Sequence, residues 1–87
     1  MQEYTDAFEV FPLPASESFT VRFFSGFTTT GKIQLMDVTG RVIINYDTHV
    51  EEGENNLQID VANFSSGLYY LILEMGDSKN VKRVFIN

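Results

Sequence analysis

Apolar and polar residues alternate along several short stretches of the chain, which is the period-two pattern of half-buried β-strands. In residues 18–24, for example, every second position from Phe19 onward is apolar. The predicted strands cover residues 8–11, 18–24, 32–37, 41–46, 57–61, 68–75 and 81–86. Strands this short, separated by turn signals every 8–12 residues or so, are typical of an all-β fold. We therefore expect an immunoglobulin-like antiparallel β-sandwich of about seven strands.

Turn-forming residues lie between these stretches. Pro12 and Pro14 cannot donate ladder hydrogen bonds, so they predict a kink at which the first strand changes sheets. Asp37 and Gly40 predict a tight turn, because glycine adopts positive φ freely and aspartate bonds nearby backbone groups. Gly67 predicts a turn into the longest apolar stretch. The remaining connections are predicted as loops at 25–31 and 47–56 and as a hairpin turn at 76–78.

Length and composition indicate one small folded domain. The chain has 87 residues, of which 44% are hydrophobic and 21% charged. A chain of this size buries only about 60–65% of its unfolded surface, which leaves little room for a deep active site. Residues 1–7 are predicted to be a linker remnant, and residues 8–87 the domain.

Charge and residue usage exclude several classes of function. No cysteine is present and His49 is the single histidine, so a disulfide framework and a cysteine-based zinc site are excluded. The formal charge of −6 opposes binding to nucleic-acid phosphates. No apolar run approaches the ~20 residues of a membrane helix, so the domain is not expected to insert into a membrane. No cofactor is predicted.

Two groups of side chains leave binding hypotheses open. Glu51, Glu52 and Glu54 flank Gly53 and would suit a weak calcium site, although solvated loop carboxylates explain them better. Aromatic residues would suit a carbohydrate platform, although a small sandwich needs most of its aromatics in the core. The candidates for that platform are Tyr4, Phe27, Tyr46, Tyr69 and Tyr70.

Basic residues concentrate at the end of the chain. Lys79, Lys82 and Arg83 are half of all the basic residues and lie in the last nine positions. Lysine on an edge strand discourages edge-to-edge aggregation. The alternative is that another protein recognises this strand. The charge pattern alone does not favour one interpretation over the other.

Three motifs, in this order, resemble a known family. They are Val-Phe-Pro-Leu-Pro-Ala at 10–15, an apolar strand leading into Asp37-Val-Thr-Gly40-Arg41, and Asn-Phe-Ser-Ser-Gly67-Leu-Tyr69 at 63–69. The chain then closes with Lys-Arg-Val-Phe-Ile at 82–86. From about residue 8 onward it resembles the type A C-terminal sorting domain of the type IX (Por) secretion system. It departs from the family in Leu13, where Asn is usual, and in Phe64, where Leu is usual.

The resemblance implies a non-catalytic secretion and sorting signal. An upstream cargo protein in cis would cross the periplasm and then the outer membrane through the type IX translocon, to reach the cell surface or the medium. A sortase-like peptidase would remove the domain, cutting in or before residues 1–7. The motif residues that carry the resemblance, and that we expect to be recognised or structural, are Pro12, Pro14, Asp37, Gly40, Arg41, Gly67, Tyr69, Lys82, Arg83 and Val84.

Other functions remain as alternatives. The main one is a stand-alone β-sandwich module that binds carbohydrate or protein, which an exposed row of aromatics on one sheet face would favour. A structural spacer is a third possibility. An enzyme is not expected, because the sequence contains no recognisable set of nucleophile, base and orienting residue.

Overall fold

A computed structural model of the protein describes residues 8–87, and the predicted linker at 1–7 lies outside them. The described chain forms the strands β1 (Glu9–Phe11), β2 (Ser18–Ser25), β3 (Thr29–Asp37), β4 (Val42–Val50), β5 (Gly53–Asp60), β6 (Gly67–Met75) and β7 (Ser78–Ile86). This confirms the predicted all-β class and the number of strands. Over residues 8–87 the chain has no helix that is long and apolar enough to cross a membrane.

The strands form two antiparallel sheets packed face to face. One sheet has the order β1-β2-β5 and the other has the order β4-β3-β6-β7. The inner faces meet in one hydrophobic core. Its largest fully buried side chains are Phe19, Val21, Ile33, Leu35, Val50, Val61, Leu71, Leu73 and Val84. The alternation that predicted the strands thus arises because each sheet buries one face against the other.

The segment containing the two prolines carries the chain from one sheet to the other. Before it, Val10 pairs with Val21 of β2 in the three-stranded sheet. After it, Ala15 forms a parallel bridge with Ile86 of β7 in the four-stranded sheet. Both peptide bonds that precede the prolines are cis. The kink predicted from Pro12-Leu-Pro14 is therefore the point at which the chain changes sheets.

Two predicted loops are wrong, because both belong largely to strands. β3 begins at Thr29 instead of Lys32, and Gly31 is buried within it, close to the carbonyl oxygen of Glu74. The acidic stretch 47–56 continues β4 to Val50 and begins β5 at Gly53. Pairing with β3 and β2 outweighs the polar composition of that stretch, since solvent-facing positions of a strand accept charged side chains.

Candidate recognition surface

The last strand forms an edge of the four-stranded sheet. β6 is its neighbour on one side, and on the other side only the short bridge from Ala15 reaches it within the described chain. Lys79, Lys82 and Arg83 all lie on β7, so the sequence correctly placed the basic cluster on an edge strand.

Side chains of β7 alternate between the core and the outside. Val84 and Ile86 are buried in the core, whereas Arg83 and Phe85 are exposed on the outer face. Val84, one of the predicted motif residues, therefore anchors the strand and offers no surface to a partner. Arg83 makes no ion pair with any residue in the part of the chain that the structure describes.

Lys82 connects the last strand to the beginning of the domain. Its Nζ donates a hydrogen bond of 2.9 Å to the backbone oxygen of Phe8 and lies 5.4 Å from the centroid of the Phe8 ring. Phe8 itself is buried. The contact satisfies a backbone acceptor that precedes β1, so Lys82 has a structural role that its sequence context did not predict.

Part of the outer edge of β7 has unpaired backbone groups. Ala15 donates to the carbonyl oxygen of Phe85 at 2.8 Å and accepts from Asn87 at 2.7 Å. Because backbone groups alternate in direction along a strand, those of Val81 and Arg83 point to the same side as those of Phe85. Within residues 8–87, no segment outside the sheet forms a backbone hydrogen bond with Val81 or Arg83. The middle of β7 is thus open to an added strand.

Asp37 organises the turn between β3 and β4. Its Oδ1 accepts hydrogen bonds from the backbone and hydroxyl of Thr39, at 2.9 and 2.6 Å, and from the backbone of Arg41 at 3.0 Å. These bonds, that of the Thr39 hydroxyl first, hold the pKa of the Asp37 carboxyl below its ordinary value. Gly40 has a φ of 91° and donates to the Asp37 carbonyl at 3.0 Å. The turn predicted from Asp37 and Gly40 is confirmed.

Arg41 leaves this turn with its charge largely in solvent. Its Nε lies 3.6 Å from Oδ2 of Asp37, and its side chain is 77% exposed. An ion pair this long and this exposed contributes little to stability. The guanidinium therefore remains accessible to a partner at the end of the sheet.

Gly67 and Tyr69 fix the entry to β6. Gly67 has a φ of 148°, which favours glycine at the first position of the strand. The Tyr69 ring is buried, and its hydroxyl donates to the backbone oxygen of Ser65 at 2.7 Å. Phe64 packs against it with ring centroids 6.4 Å apart. These contacts give both motif residues a structural role.

The register of the sheet brings the sequence motifs to one end of it. Asp37 pairs with Tyr69 across β3 and β6, and Tyr69 pairs with Val84 across β6 and β7. In a following row Gly67 pairs with Ile86. Neighbouring strands lie about 4.8 Å apart, so Asp37 and the last strand are separated by roughly 10 Å. Motifs that are far apart in sequence are therefore brought together at this end of the sheet, where Tyr69 and Val84 are buried in the core.

The acidic residues around Gly53 do not converge on a metal site. Among the described residues, no group of three or more histidine, aspartate or glutamate side chains lies close enough to hold an ion. Glu51 instead accepts a 2.7 Å contact from His49, and its backbone exchanges hydrogen bonds of 2.9 Å with the Asn55 amide. These contacts are those of a structured turn between two strands.

The proposed aromatic platform is not a single surface. Tyr69 is buried, and Tyr4 lies outside the described residues. Tyr46 pairs with Ile33, whose side chain faces the core, and partial burial raises the pKa of its phenol. Tyr70 pairs with Arg83 on the outer face, and Phe27 lies in the turn before β3. The candidates therefore do not form the row on one face that would favour a carbohydrate-binding module.

One accessible feature was missed in the sequence: the outer face of the four-stranded sheet. β6 is apolar at consecutive positions, with Leu71, Ile72 and Leu73 all buried. Only one face of a strand can contribute to the core between the sheets, so Ile72 lies outside that core. The sequence signal was the loss of strict alternation in this strand, which indicates apolar side chains on both faces.

A β-sandwich that presents an open edge strand and a charged turn at the same end has the features of a domain that other proteins bind. The model of the secretion system C-terminal sorting domain family matches residues 9–87. The chain belongs to this family, and it is a C-terminal sorting signal of the type IX secretion system. Such a domain implies a cargo in cis and export to the cell surface or beyond it. No curated protein matches the chain.

Proposed function

We propose that the domain directs an upstream cargo across the outer membrane by presenting β7 and the Asp37–Arg41 turn to the type IX translocon. The supporting observation is the register that aligns Asp37, Tyr69 and Val84 across three strands. Arg41 follows Asp37 in the same turn, and β7 lies two strands from β3, so we take one partner to span this end of the sheet and contact both features.

The proposed mode of recognition is the addition of a strand to the open edge of β7. Backbone groups of Val81 and Arg83 supply hydrogen bonds that make little demand on the partner's sequence. The basic side chains of the edge and Arg41 supply charge complementarity to an acidic partner, which affects orientation and association rate more than affinity. The domain itself performs no chemistry in this scheme.

In this proposal the cargo passes through the periplasm, and a sortase-like peptidase afterwards removes the domain. The cut would fall in or before residues 1–7, which we assign as a linker to the cargo. The first described residues support a boundary there, because Phe8 is buried and its carbonyl is held by Lys82. The cargo then stays attached to the cell surface or is released.

The proposal is tested by fusing the domain behind a periplasmic reporter in a bacterium that has the type IX system. We expect the reporter outside the outer membrane, and only when the translocon is intact. A reporter that stays in the periplasm as often with the domain as without it would contradict the proposal.

A matched pair of variants tests the strand addition. Val81→Pro removes an outward backbone N–H and obstructs an added strand, and an edge position tolerates proline. Val81→Thr keeps the N–H and the shape of the side chain. We expect export of the reporter to fall roughly tenfold or more for the proline variant, given the hydrogen bonds lost, and to change little for the threonine variant. Equal export by the two folded variants would exclude this edge as the point of recognition.

A further inference from the structure

The outer face of the four-stranded sheet carries a continuous apolar surface. Register places Ile72 beside Val81, and Tyr70 beside both Met36 and Arg83. Met36 in turn pairs with Val42 of β4. We name this surface the outer patch, and its apolar members are Met36, Val42, Leu68, Tyr70, Ile72, Val81 and Phe85.

The outer patch is only half covered by the domain's own side chains. Ile72, at its centre, is 5% exposed, whereas Val42, Val81 and Phe85 are 44%, 56% and 51% exposed. It therefore resembles one side of an interface, with a shielded centre and an accessible rim. A contiguous apolar surface of this kind on a small domain indicates a binding site.

Charge distinguishes this face from the outer face of the three-stranded sheet. The four-stranded sheet presents three basic and two acidic side chains there, from Lys32, Lys79, Arg83, Asp47 and Glu74. The three-stranded sheet presents one basic and three acidic side chains, from Arg22, Glu9, Glu54 and Asp60. The outer patch thus lies on a net positive face of a negatively charged chain.

Arg83 gives the outer patch its chemical preference. It lies among the apolar side chains and makes no ion pair with a described residue, whereas Arg22 on the opposite face is 2.7 Å from Glu9. A guanidinium that is partly desolvated by an apolar partner gains most from a carboxylate, which it binds through two hydrogen bonds.

These features select a protein partner over the other occupants. A second copy docked through the same patch would bring two net positive faces together and would place no carboxylate beside Arg83. A nucleic acid would have to approach a chain of charge −6. An apolar protein segment that carries a carboxylate satisfies both the exposed side chains and Arg83.

We propose that the outer patch docks an apolar segment of a partner protein whose carboxylate pairs with Arg83. The inference rests on the proposed function in one respect only: the partner is taken to be a protein that handles the domain during export. It concerns the face of the sheet from β4 to β7, and so differs from strand addition at the edge of β7.

The test measures the rate of cysteine alkylation at single sites, which is possible because the chain has no cysteine. Val42→Cys reports on the outer patch at β4, the strand farthest from the open edge of β7. Phe24→Cys, at 70% exposure on the face of the other sheet, is the matched control. Each variant is fused to the reporter and alkylated both as purified protein and in cells with the type IX system.

We expect both sites to react rapidly in the purified protein. In cells, alkylation of Val42→Cys should slow roughly tenfold, because a docked segment would cover this exposed side chain and block access of the reagent, while Phe24→Cys keeps its rate. Adding Arg83→Glu should restore rapid alkylation at Val42→Cys. Lys79→Glu, the same charge change on the same strand but outside the patch, should not.

The contrary results each reject a stated part of the scheme. Equal rates at both sites in cells would exclude docking on this face. If alkylation of Val42→Cys in the purified protein slows as the protein concentration rises, the occupant is a second copy of the chain. If Arg83→Glu leaves the protection in cells unchanged, the partner does not bind through a carboxylate. Export of the unmodified fusion is measured in parallel. Export without protection rejects this inference alone, and protection without export rejects the sorting function alone.

Discussion

On the outer face of the three-stranded sheet, Arg22 donates hydrogen bonds of 2.9 and 2.7 Å to Glu9 and lies 4.8 Å from the centroid of the Phe11 ring. On the outer face of the four-stranded sheet, Arg83 has neither kind of contact with a described residue. Both arginines are exposed members of strands, so their position does not explain the difference. One face satisfies its charges within the chain, and the other leaves a cation beside apolar side chains.

The side chains that surround each arginine also differ between the two faces. Around Arg22, the amide of Gln58 donates to Ser18 at 3.0 Å and that of Asn56 donates to Glu54 at 3.1 Å. Around Arg83, the nearest side chains of the adjacent rows on β6 and β7 are the apolar Ile72, Val81, Leu68 and Phe85. A face with internal hydrogen bonds remains stable in water without a partner, whereas exposed apolar area gains free energy when a partner covers it. Phe11 and Phe24 are exposed on the first face as well, but Arg22 there is paired with Glu9. Only the second face combines exposed apolar side chains with an arginine that has no ion pair among the described residues, and this favours binding there.

The largest expected effect is a difference in stability between substitutions at the centres of the two outer faces. Ile72→Ala should lower the free energy of unfolding by about 2–3 kcal/mol, because the Ile72 side chain is almost fully buried and its truncation removes that packing. Thr20→Ala, in the middle of the three-stranded sheet, should cost no more than about 1 kcal/mol, the range of strand propensities. Urea unfolding of both variants measures the difference. Equal losses would mean that the outer patch is no better packed than the polar face.

A second, smaller effect compares two basic residues that are adjacent on β7. Lys82→Met keeps the aliphatic stem but removes the hydrogen bond to the Phe8 carbonyl, so it should cost about 1 kcal/mol. Arg83→Met breaks no hydrogen bond or ion pair within the described chain and should leave stability nearly unchanged. Thermal unfolding of the two variants tests this. If Arg83→Met proves the more destabilising, then Arg83 has a structural contact and its availability to a partner is in doubt.

Much of the fold could be predicted because one face of each strand is buried. Phe19 and the alternate positions after it reveal β2 directly, and Asp37 with Gly40 specifies the next turn through local bonds. The stretch 47–56 could not be assigned in this way, because β5 is there held by pairing with β2, which is distant in sequence, and β4 by the end of its hairpin with β3 that lies farthest from the turn. Composition reports on solvent exposure, and edge strands with exposed polar side chains have the composition of loops.

The candidate site was predictable to a lesser degree. The basic cluster of β7 is visible in the sequence, but its division into an anchoring Lys82 and an accessible Arg83 depends on which face each occupies and on what lies opposite. Likewise, Tyr69 and Val84 are buried, so resemblance to the family marked residues that maintain the fold together with residues available to a partner. Only packing separates the two kinds.

The turn at the end of the outer patch should show a pH dependence of its own. Hydrogen bonds lower the pKa of Asp37 in the folded state, so its contribution to stability is present above the unfolded pKa and is lost as the pH falls. Asp37→Asn should therefore destabilise the domain at neutral pH, and the difference from the wild type should narrow below about pH 4. Unfolding midpoints across that range measure the difference. A difference that stays constant with pH would show that the carboxylate charge does not matter to the turn.

The smallest expected effect is on the unfolding midpoint, when the charge interactions of Arg22 and Arg83 are removed in turn. Because the Arg22–Glu9 pair is exposed, salt screens it, and Glu9→Gln should lower the unfolding midpoint slightly at low ionic strength and hardly at all at high ionic strength. Arg83→Gln should leave the unfolding midpoint unchanged at both ionic strengths, because the Arg83 charge forms no ion pair with a described residue. If Arg83→Gln instead shows a salt-dependent loss like that of Glu9→Gln, its charge is already used within the domain. The contrast between the faces would then lie in their apolar side chains alone, and the partner would not need a carboxylate.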